Sequence, residues 1–361
     1  MKSIIPVLAF LLILLPGSSV TLFGEAATPG RTAKIAVIQV TALPSQDLFV
    51  DYKPAKVQPQ MMAHFEKLLG LIDQAGSLGA DLVCGPEDMQ HIGGYGLHVD
   101  VTDPVTGEIL FTSLATPVPG PLTDKCAKIA RKHSMYIIAP LYERDGDKVY
   151  NTAVLFDRQG RIIGKHRKTL VPVMETWLVD TGDELEVFQT DFARIAIATC
   201  WELFYPEITT VYALKGADIV FNPTMARDNE SGKSLSTAHT YITRARDNSV
   251  YIAPVILGTD GNGIIDFNGK VAAEAVGEKD KVIIAEIDFS KPRTSDSRWW
   301  TTINGTDNAK AIHYLSRRPD LYELLTDPTP PVLEQFRDVR LTTGDRPRQL
   351  KAVRAVDYGK K

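Results

Sequence analysis

Short apolar runs alternate with helical segments along most of this chain, and this alternation strongly limits the folds that it can form. The run at residues 34–40 predicts a first buried strand. The long amphipathic stretch at 58–80 predicts a helix with one apolar side, formed by Met61, Met62, Phe65, Leu68, Leu69 and Ile72. Strands and helices then continue to alternate as far as residue 287, with several hairpins among them. They include a strand at 161–164, which a loop around residue 168 follows, and a helix at 234–248. This pattern predicts an α/β fold of two sheets with helices outside, a four-layer α-β-β-α sandwich.

Three chemically reactive residues occur near the ends of predicted strands. Glu87 follows a short apolar strand that ends in Gly-Pro, Lys168 follows a hairpin, and Cys200 closes the apolar run 195–200. Cys200 also precedes a helix that Pro206 opens, and a helix N-terminus favours a thiolate. Taken singly, each residue has a plainer interpretation: Glu87 as a solvated turn acid, Lys168 as part of a basic surface run, and Cys200 as a core thiol.

The order of these three residues, together with their flanking sequences, resembles the nitrilase superfamily of carbon–nitrogen hydrolases. The resemblance covers residues 33–290 and has a further tail element. The supporting motifs lie at 151–160, 200–207, 244–248, 258–269 and 317–322. Two positions depart from the commoner pattern, with Asp247 in place of Glu and Gly263 in place of Ser. The resemblance implies the same four-layer sandwich.

The chemistry of these side chains fits hydrolysis of an amide or a ureide. A thiolate at Cys200 attacks the carbonyl carbon, and Glu87 moves the proton as general base and acid. Lys168 and the backbone N–H of Trp201 stabilise the oxyanion. The resemblance assigns the same roles to Glu87, Lys168 and Cys200, and it implies a second carboxylate after the lysine. Glu175 is the candidate by approximate spacing, with a surface acid as the alternative.

The substrate stays open at this stage. A nitrilase that converts a nitrile to a carboxylic acid is one alternative, and a catalytically silent small-molecule-binding protein is another, although the intact triad argues against it. Leu203 and Phe204 occupy positions where some N-carbamoyl amino acid hydrolases carry arginines. Arg227 is therefore a candidate substrate-binding residue, as is Tyr95 in the long insertion 89–121. We expect this insertion, which also carries His91 and His98, to be a lid.

The chain is predicted to have three parts. Residues 1–27 have the pattern of a signal peptide: Lys2 precedes a twelve-residue apolar stretch, and cleavage near Ala26 is expected. An uncleaved N-terminal anchor is the alternative. Residues 33–290 form the carbon–nitrogen hydrolase domain, and 291–361 form a C-terminal extension. The resemblance implies a homo-oligomer built from dimers, with this extension reaching a neighbour. The protein is expected to be exported, either periplasmic or secreted, without stable membrane association.

Composition and motifs exclude several other classes of function. The net charge is −4 and no basic stripe is present, so we expect no nucleic-acid partner. The seven histidines form no HExxH motif, and no glycine-rich phosphate loop follows a strand, so we expect neither a metal nor a cofactor. Cys84 and Cys126 are predicted to be buried core thiols, without a structural disulfide. The predicted partner is a small-molecule amide or nitrile substrate.

Overall fold

The computed structural model describes residues 32–43, 54–93, 102–172, 175–225, 234–258, 260–290 and 309–336. In these ranges the strands are β1 (Thr32–Gln39), β2 (Leu82–Cys84), β3 (Tyr136–Asp145), β4 (Lys148–Phe156), β5 (Ile162–Arg167), β6 (Val187–Gln189), β7 (Arg194–Ile197), β8 (Ile219–Thr224), β9 (Tyr251–Ile256), β10 (Asn262–Ile265), β11 (Val271–Ala275) and β12 (Lys281–Asp288). The α-helices are α1 (Pro54–Ser77), α2 (Leu110–Leu114), α3 (Pro121–His133), α4 (Pro206–Leu214), α5 (His239–Asn248) and α6 (Ala309–Leu315).

The strands form two six-stranded sheets with the same arrangement. The first has the order β12-β1-β2-β3-β4-β5, and the second has the order β11-β10-β9-β8-β7-β6. Strands β1, β2 and β3 run parallel, as do β7, β8 and β9, and antiparallel strands complete both sheets. The carboxyl ends of parallel strands meet at one edge of a sheet, which is where ligands bind in open α/β sheets.

Apolar side chains divide the molecule into layers. Along β1, Ile35 and Val37 pack between the two sheets, whereas Ala36 and Ile38 pack against the helices on the outer face. Helices α1 and α3 cover the first sheet, and α4 and α5 cover the second. Because both faces of β1 are covered, the strand is a continuous apolar run rather than an alternating one. The predicted four-layer α-β-β-α sandwich is confirmed.

Several element boundaries differ from the sequence prediction. Strand β5 continues to Arg167, so Lys168 follows it directly instead of lying in a longer loop. The short strands β6 and β11 were not predicted from the sequence. Helix α5 begins at His239, after a 3₁₀ turn at Leu235–Thr237, although the sequence predicts a helix from residue 234. Met62, predicted to lie on the buried side of α1, is 43% exposed, while its neighbour Met61 is buried.

The described part of the insertion 89–121 contributes several side chains to the core. Met89 and Ile92 are buried, and Leu110 and Phe111 of α2 pack in an apolar cluster with Tyr142. Residues 94–101 lie outside the described part of the chain, so the lid prediction is untested there. Val105 of the same segment is 83% exposed, so the segment is partly core and partly surface.

All three cysteines are free and buried, in agreement with the prediction for Cys84 and Cys126. Burial raises the pKa of the Cys126 thiol to about 12. The predicted signal segment 1–27 lies outside the described residues. Over the ranges that the structure describes, none of the helices has the length and apolar character needed to cross a membrane.

Candidate active site

Cys200 lies just beyond the carboxyl end of β7, at the start of a 3₁₀ turn, Cys200–Phe204, that leads into α4. Its φ angle is +50°, a left-handed conformation that is uncommon outside glycine and that persists only when the surroundings enforce it. The residue is 8% exposed. Burial and the neighbouring Glu87 carboxylate raise the pKa of the thiol to about 12, against the lowering effects of Lys168 and the Thr224 hydroxyl. The resting thiol therefore carries its proton at neutral pH.

Lys168 is held between two acidic side chains. Its backbone N–H donates to the carbonyl oxygen of Asn151 at 2.8 Å, which fixes the chain immediately after β5. Its Nζ lies 3.0 Å from Glu87 Oε1 and 2.7 Å from Glu175 Oε2. Burial alone would lower the pKa of the ammonium, but Glu87, Glu175 and Cys200 together raise it above its ordinary value. Lys168 therefore stays charged although it is only 1% exposed.

The Glu87 carboxylate is fully buried and has three hydrogen-bond donors. Besides Lys168, Asn151 Nδ2 donates to Oε1 at 2.8 Å, and the backbone N–H of Met225 donates to Oε2 at 2.7 Å. Strand β2 ends at Cys84, three residues before Glu87, and the Gly-Pro sequence lies between them. Because both carboxylate oxygens are bonded, the side chain has a fixed orientation at the strand ends.

Glu175 is also part of this cluster, as its approximate spacing suggests. It opens a 3₁₀ turn, Glu175–Trp177, and is 4% exposed, so the surface-acid alternative is wrong. Its Oε1 accepts hydrogen bonds from Asn151 Nδ2 at 2.8 Å and from the Tyr142 hydroxyl at 3.3 Å. Asn151 thus bridges both carboxylates, and its Oδ1 has no hydrogen-bond partner among the described residues.

The structure therefore brings Glu87, Lys168 and Cys200 together as the sequence predicts. Their catalytic roles stay predictions, as does the role of the Trp201 backbone N–H. Sequence reasoning missed the neighbours that position them: Tyr142, Asn151, Thr224 and the Met225 backbone N–H. Asn151 lies in β4 and Thr224 lies in β8, and the packing of these strands places both residues beside the reactive groups. Their local sequence does not indicate that they lie there.

The remaining candidates lie elsewhere or outside the described residues. Tyr95, His98 and Arg227 belong to segments that the structure does not describe, so their substrate-binding roles are untested. His91 is buried, and its ring packs against the His64 ring at 4.9 Å. Burial lowers the pKa of both imidazoles to about 4, so both are neutral at physiological pH. His91 is thus a packing residue of the loop after Glu87.

No group of three or more potential metal ligands occurs in the described ranges. What the cluster offers is a neutral thiol, a charged ammonium and two carboxylates, all of them buried. A carboxylate near a protonated thiol can accept its proton, and an ammonium can neutralise an oxyanion. Nζ of lysine carries three donors, and the two carboxylates use two of them. Among the described residues the two carboxylates are the acceptors of Nζ, which leaves its third donor for a substrate oxygen.

A four-layer sandwich with carboxylate, ammonium and thiol groups at its strand ends is the arrangement expected of the nitrilase superfamily. The carbon–nitrogen hydrolase family model matches residues 34–294. The chain therefore belongs to the carbon–nitrogen hydrolase family.

Individual relatives have several different activities. The chain is 36% identical over 187 residues to a bifunctional nitrilase/nitrile hydratase of Lupinus angustifolius, a match that covers 49% of this chain and 52% of that protein. It is 32% identical over 203 residues to a beta-ureidopropionase of Arabidopsis thaliana, covering 54% of this chain and 46% of that protein. The chain thus spans about half the length of these curated relatives.

The fold is also that of a solved amidase. A glutamate-to-glutamine mutant of the amidase from Nesterenkonia sp. AN1 superimposes with a TM-score of 0.57 at 17% identity, and the match covers 83% of this chain and 98% of that one. In that structure the acetamide moiety of fluoroacetamide is covalently attached to the active-site cysteine.

Proposed function

We propose that this protein hydrolyses the carbon–nitrogen bond of an amide or a ureide through a thioester on Cys200. Glu87 takes the proton from the Cys200 thiol as its sulfur attacks the carbonyl carbon. The carbon–nitrogen bond then breaks, and Glu87 returns the proton to the leaving nitrogen, which departs as ammonia or an amine. Water attacks the thioester with Glu87 again as base, which releases the acid and restores the thiol.

The observation that carries this proposal is the buried contact of Lys168 with both Glu87 and Glu175, beside the Cys200 thiol. Burial raises the pKa of that thiol to about 12, so attack on a neutral carbonyl requires a nearby base. Glu87 is such a base, and the third N–H of Lys168, with the Trp201 backbone N–H, would stabilise the oxyanion. Glu175 keeps Lys168 charged and oriented at 2.7 Å while Glu87 exchanges its proton.

The substrate class rests on sequence similarity as well as on the site. The sequence Tyr205-Pro206-Glu207 after the nucleophile favours an amidase or a carbamoyl-amidase. The similarity to a beta-ureidopropionase supports a ureide as the substrate. The lupin nitrilase relative favours a second candidate, conversion of a nitrile to a carboxylic acid at the same thiol. Tyr95 and Arg227 are the proposed contacts to the rest of the substrate.

An ammonia-release assay on the full chain tests the proposal. The panel contains short aliphatic amides, N-carbamoyl compounds and nitriles, with Cys200→Ala as the matched inactive control. We expect turnover of amides or ureides and a trapped acyl adduct on Cys200 in the intact mass. Turnover of nitriles alone would establish the nitrilase alternative. No Cys200-dependent turnover of any class would refute the proposed function.

We further propose that the protein forms a homo-oligomer of dimers through its C-terminal extension. Within the described part of that extension, Leu315, Leu321, Leu324 and Leu325 are 62–85% exposed. Apolar side chains this exposed are typical of a segment that packs against another subunit. A Leu321→Asp/Leu325→Asp variant should have a lower mass by light scattering than the unmodified protein. An unchanged mass would refute the role of this segment.

Export with removal of about residues 1–27 is also proposed, on the basis of the apolar stretch after Lys2. N-terminal sequencing of the mature protein tests it. Cleavage near Ala26 is expected, and an intact N-terminus on protein recovered from the cytosol would refute export.

A further inference from the structure

Glu202 lies two residues after Cys200, and its carboxylate is fully buried. It accepts four hydrogen bonds. Oε1 accepts from the Thr169 backbone N–H at 2.7 Å and from the Thr169 hydroxyl at 2.6 Å. Oε2 accepts from the Thr199 backbone N–H at 2.6 Å and from His166 Nε2 at 2.7 Å. All the lone-pair directions of this buried carboxylate are therefore used.

The donors to Glu202 flank both reactive groups. Thr199 immediately precedes Cys200, while Thr169 immediately follows Lys168, and His166 lies two residues before Lys168 in β5. Strand β5 is at one edge of the first sheet, and Cys200 follows β7 of the second sheet. One carboxylate thus joins the two segments that carry the thiol and the ammonium.

We propose that Glu202 is a positioning residue that sets the placement of the Cys200 thiol relative to the Lys168 ammonium. The inference rests on the proposed function, in which both groups act on one carbonyl. Cys200 is in the left-handed region of backbone conformation, and such a conformation persists only where the surroundings enforce it. The Thr199–Glu202 bond closes the turn around Cys200, and the two bonds from Thr169 hold that turn against the Lys168 segment.

The electrostatics of the cluster support a carboxylate rather than a carboxylic acid at this position. Burial by itself would raise the pKa of Glu202, but His166 and the Thr169 donors outweigh it and hold the pKa below its ordinary value. An ionised carboxylate only accepts hydrogen bonds, so His166 must donate through Nε2. All four bonds therefore depend on Glu202 having two acceptor oxygens.

Glu202→Gln tests the inference with little change in side-chain volume. The amide NH₂ of the glutamine must face either Thr169 or Thr199, so at least one donor loses its acceptor. Misplacement of a reacting group by about 1 Å costs on the order of a hundredfold in rate. We expect kcat to fall by about ten- to a hundredfold while KM changes by less than about threefold. The rate at which iodoacetamide alkylates Cys200 should also differ from that of wild type, because the reactivity of the thiol depends on the same turn.

Glu143→Gln is the matched control. Glu143 is 1% exposed and accepts hydrogen bonds from Thr152 Oγ1 at 2.8 Å, Lys165 Nζ at 2.6 Å and Arg167 Nε at 2.9 Å. The control therefore removes an equally buried carboxylate whose partners, Lys165 and Arg167, flank His166, without touching the Cys200 turn. It should lower the thermal midpoint by a similar amount and leave kcat and Cys200 alkylation within about threefold of wild type.

Thr169→Val provides a second variant if Glu202→Gln does not fold. It removes only the hydroxyl donor at 2.6 Å and keeps the backbone bond at 2.7 Å. We expect a kcat about three- to tenfold below wild type, with KM nearly unchanged. The inference is overturned if Glu202→Gln has the same kcat and the same alkylation rate as Glu143→Gln. If Glu202→Gln does not fold, a wild-type kcat in Thr169→Val overturns it.

Failure of the proposed function remains distinguishable from failure of this inference. If wild type turns over no substrate in the panel, the proposed function fails, but iodoacetamide alkylation of Cys200 still compares Glu202→Gln with Glu143→Gln. An altered alkylation rate confined to Glu202→Gln would support positioning of the thiol by Glu202. Equal rates in the two variants would refute it.

Discussion

Replacing Lys168 with methionine tests how strongly the buried charges depend on one another. The side chain is 1% exposed, and its Nζ lies 3.0 Å from Glu87 and 2.7 Å from Glu175. Methionine has a similar length, so the change removes charge rather than volume. Leaving buried charge without its partner costs about 3–5 kcal/mol. We therefore expect Lys168→Met to lower the free energy of unfolding by about 3–5 kcal/mol at neutral pH.

A double variant separates repulsion between the two carboxylates from the other effects. Glu87 Oε1 and Glu175 Oε1 each lie 2.8 Å from Asn151 Nδ2, so they are no more than about 5.6 Å apart. At an effective dielectric constant of about 20, two like charges at that distance repel by about 3 kcal/mol. Lys168→Met/Glu175→Gln should therefore be more stable than Lys168→Met by up to about 3 kcal/mol. Its kcat should stay as low as that of Lys168→Met because the ammonium is still absent.

Lys168→Met should also change kcat and the dependence of stability on pH. Loss of one oxyanion donor lowers kcat by about a hundred- to a thousandfold, and we expect Lys168→Met to fall in that range. The folded-state pKa of Lys168 is raised above the ordinary 10.5. Its contribution to stability is therefore complete below about pH 10.5 and is lost as the pH rises through the folded-state value. The variant should lack this alkaline loss.

Urea unfolding followed by circular dichroism measures the stabilities, and ammonia release measures kcat. A destabilisation below about 1 kcal/mol, the scale of an exposed ion pair, would contradict the buried-charge reasoning. So would a double variant that is less stable than Lys168→Met. A change in KM with unchanged kcat would make Lys168 a binding residue and would contradict its role at the oxyanion.

Three further predictions concern neighbouring groups. Cys200→Ala should abolish turnover and leave the circular dichroism spectrum unchanged; residual turnover near the wild-type level would remove the nucleophile assignment. Glu87→Gln should lower kcat by about a hundredfold or more, because no base then takes the thiol proton. Steady-state kinetics measures this loss, and a much smaller loss would contradict the role of Glu87 as base. Asn151→Ala removes donors at 2.8 Å from both carboxylates and should lower kcat by about tenfold. Thr152→Val, which removes a buried donor to Glu143 at the next position of β4, is its control and should keep wild-type kcat.

The fold was largely predictable because its signals are local. The run at β1 is continuously apolar, the amphipathic α1 has a clear helical period, and Pro206 marks the start of α4 at its first position. The errors occur where local signals are weak or where packing overrides them. Strand β6 has three residues, too few for a period to be recognised, and Met62 is next to a buried methionine on the same helix.

The sequence by itself determined the order of the strands and helices and the reactive residues near the strand ends, Glu87, Lys168 and Cys200. Whether these three residues contact one another depends on which strand ends the two sheets place next to each other. Asn151 contacts Glu87 across 64 positions of the chain, and the Met225 N–H reaches the same carboxylate across 138. Periodicity reports only the few residues around each position, so no local pattern encodes such contacts. The tertiary structure alone therefore decided that Glu175 is buried against Lys168 and that Glu202 joins the Cys200 and Lys168 segments.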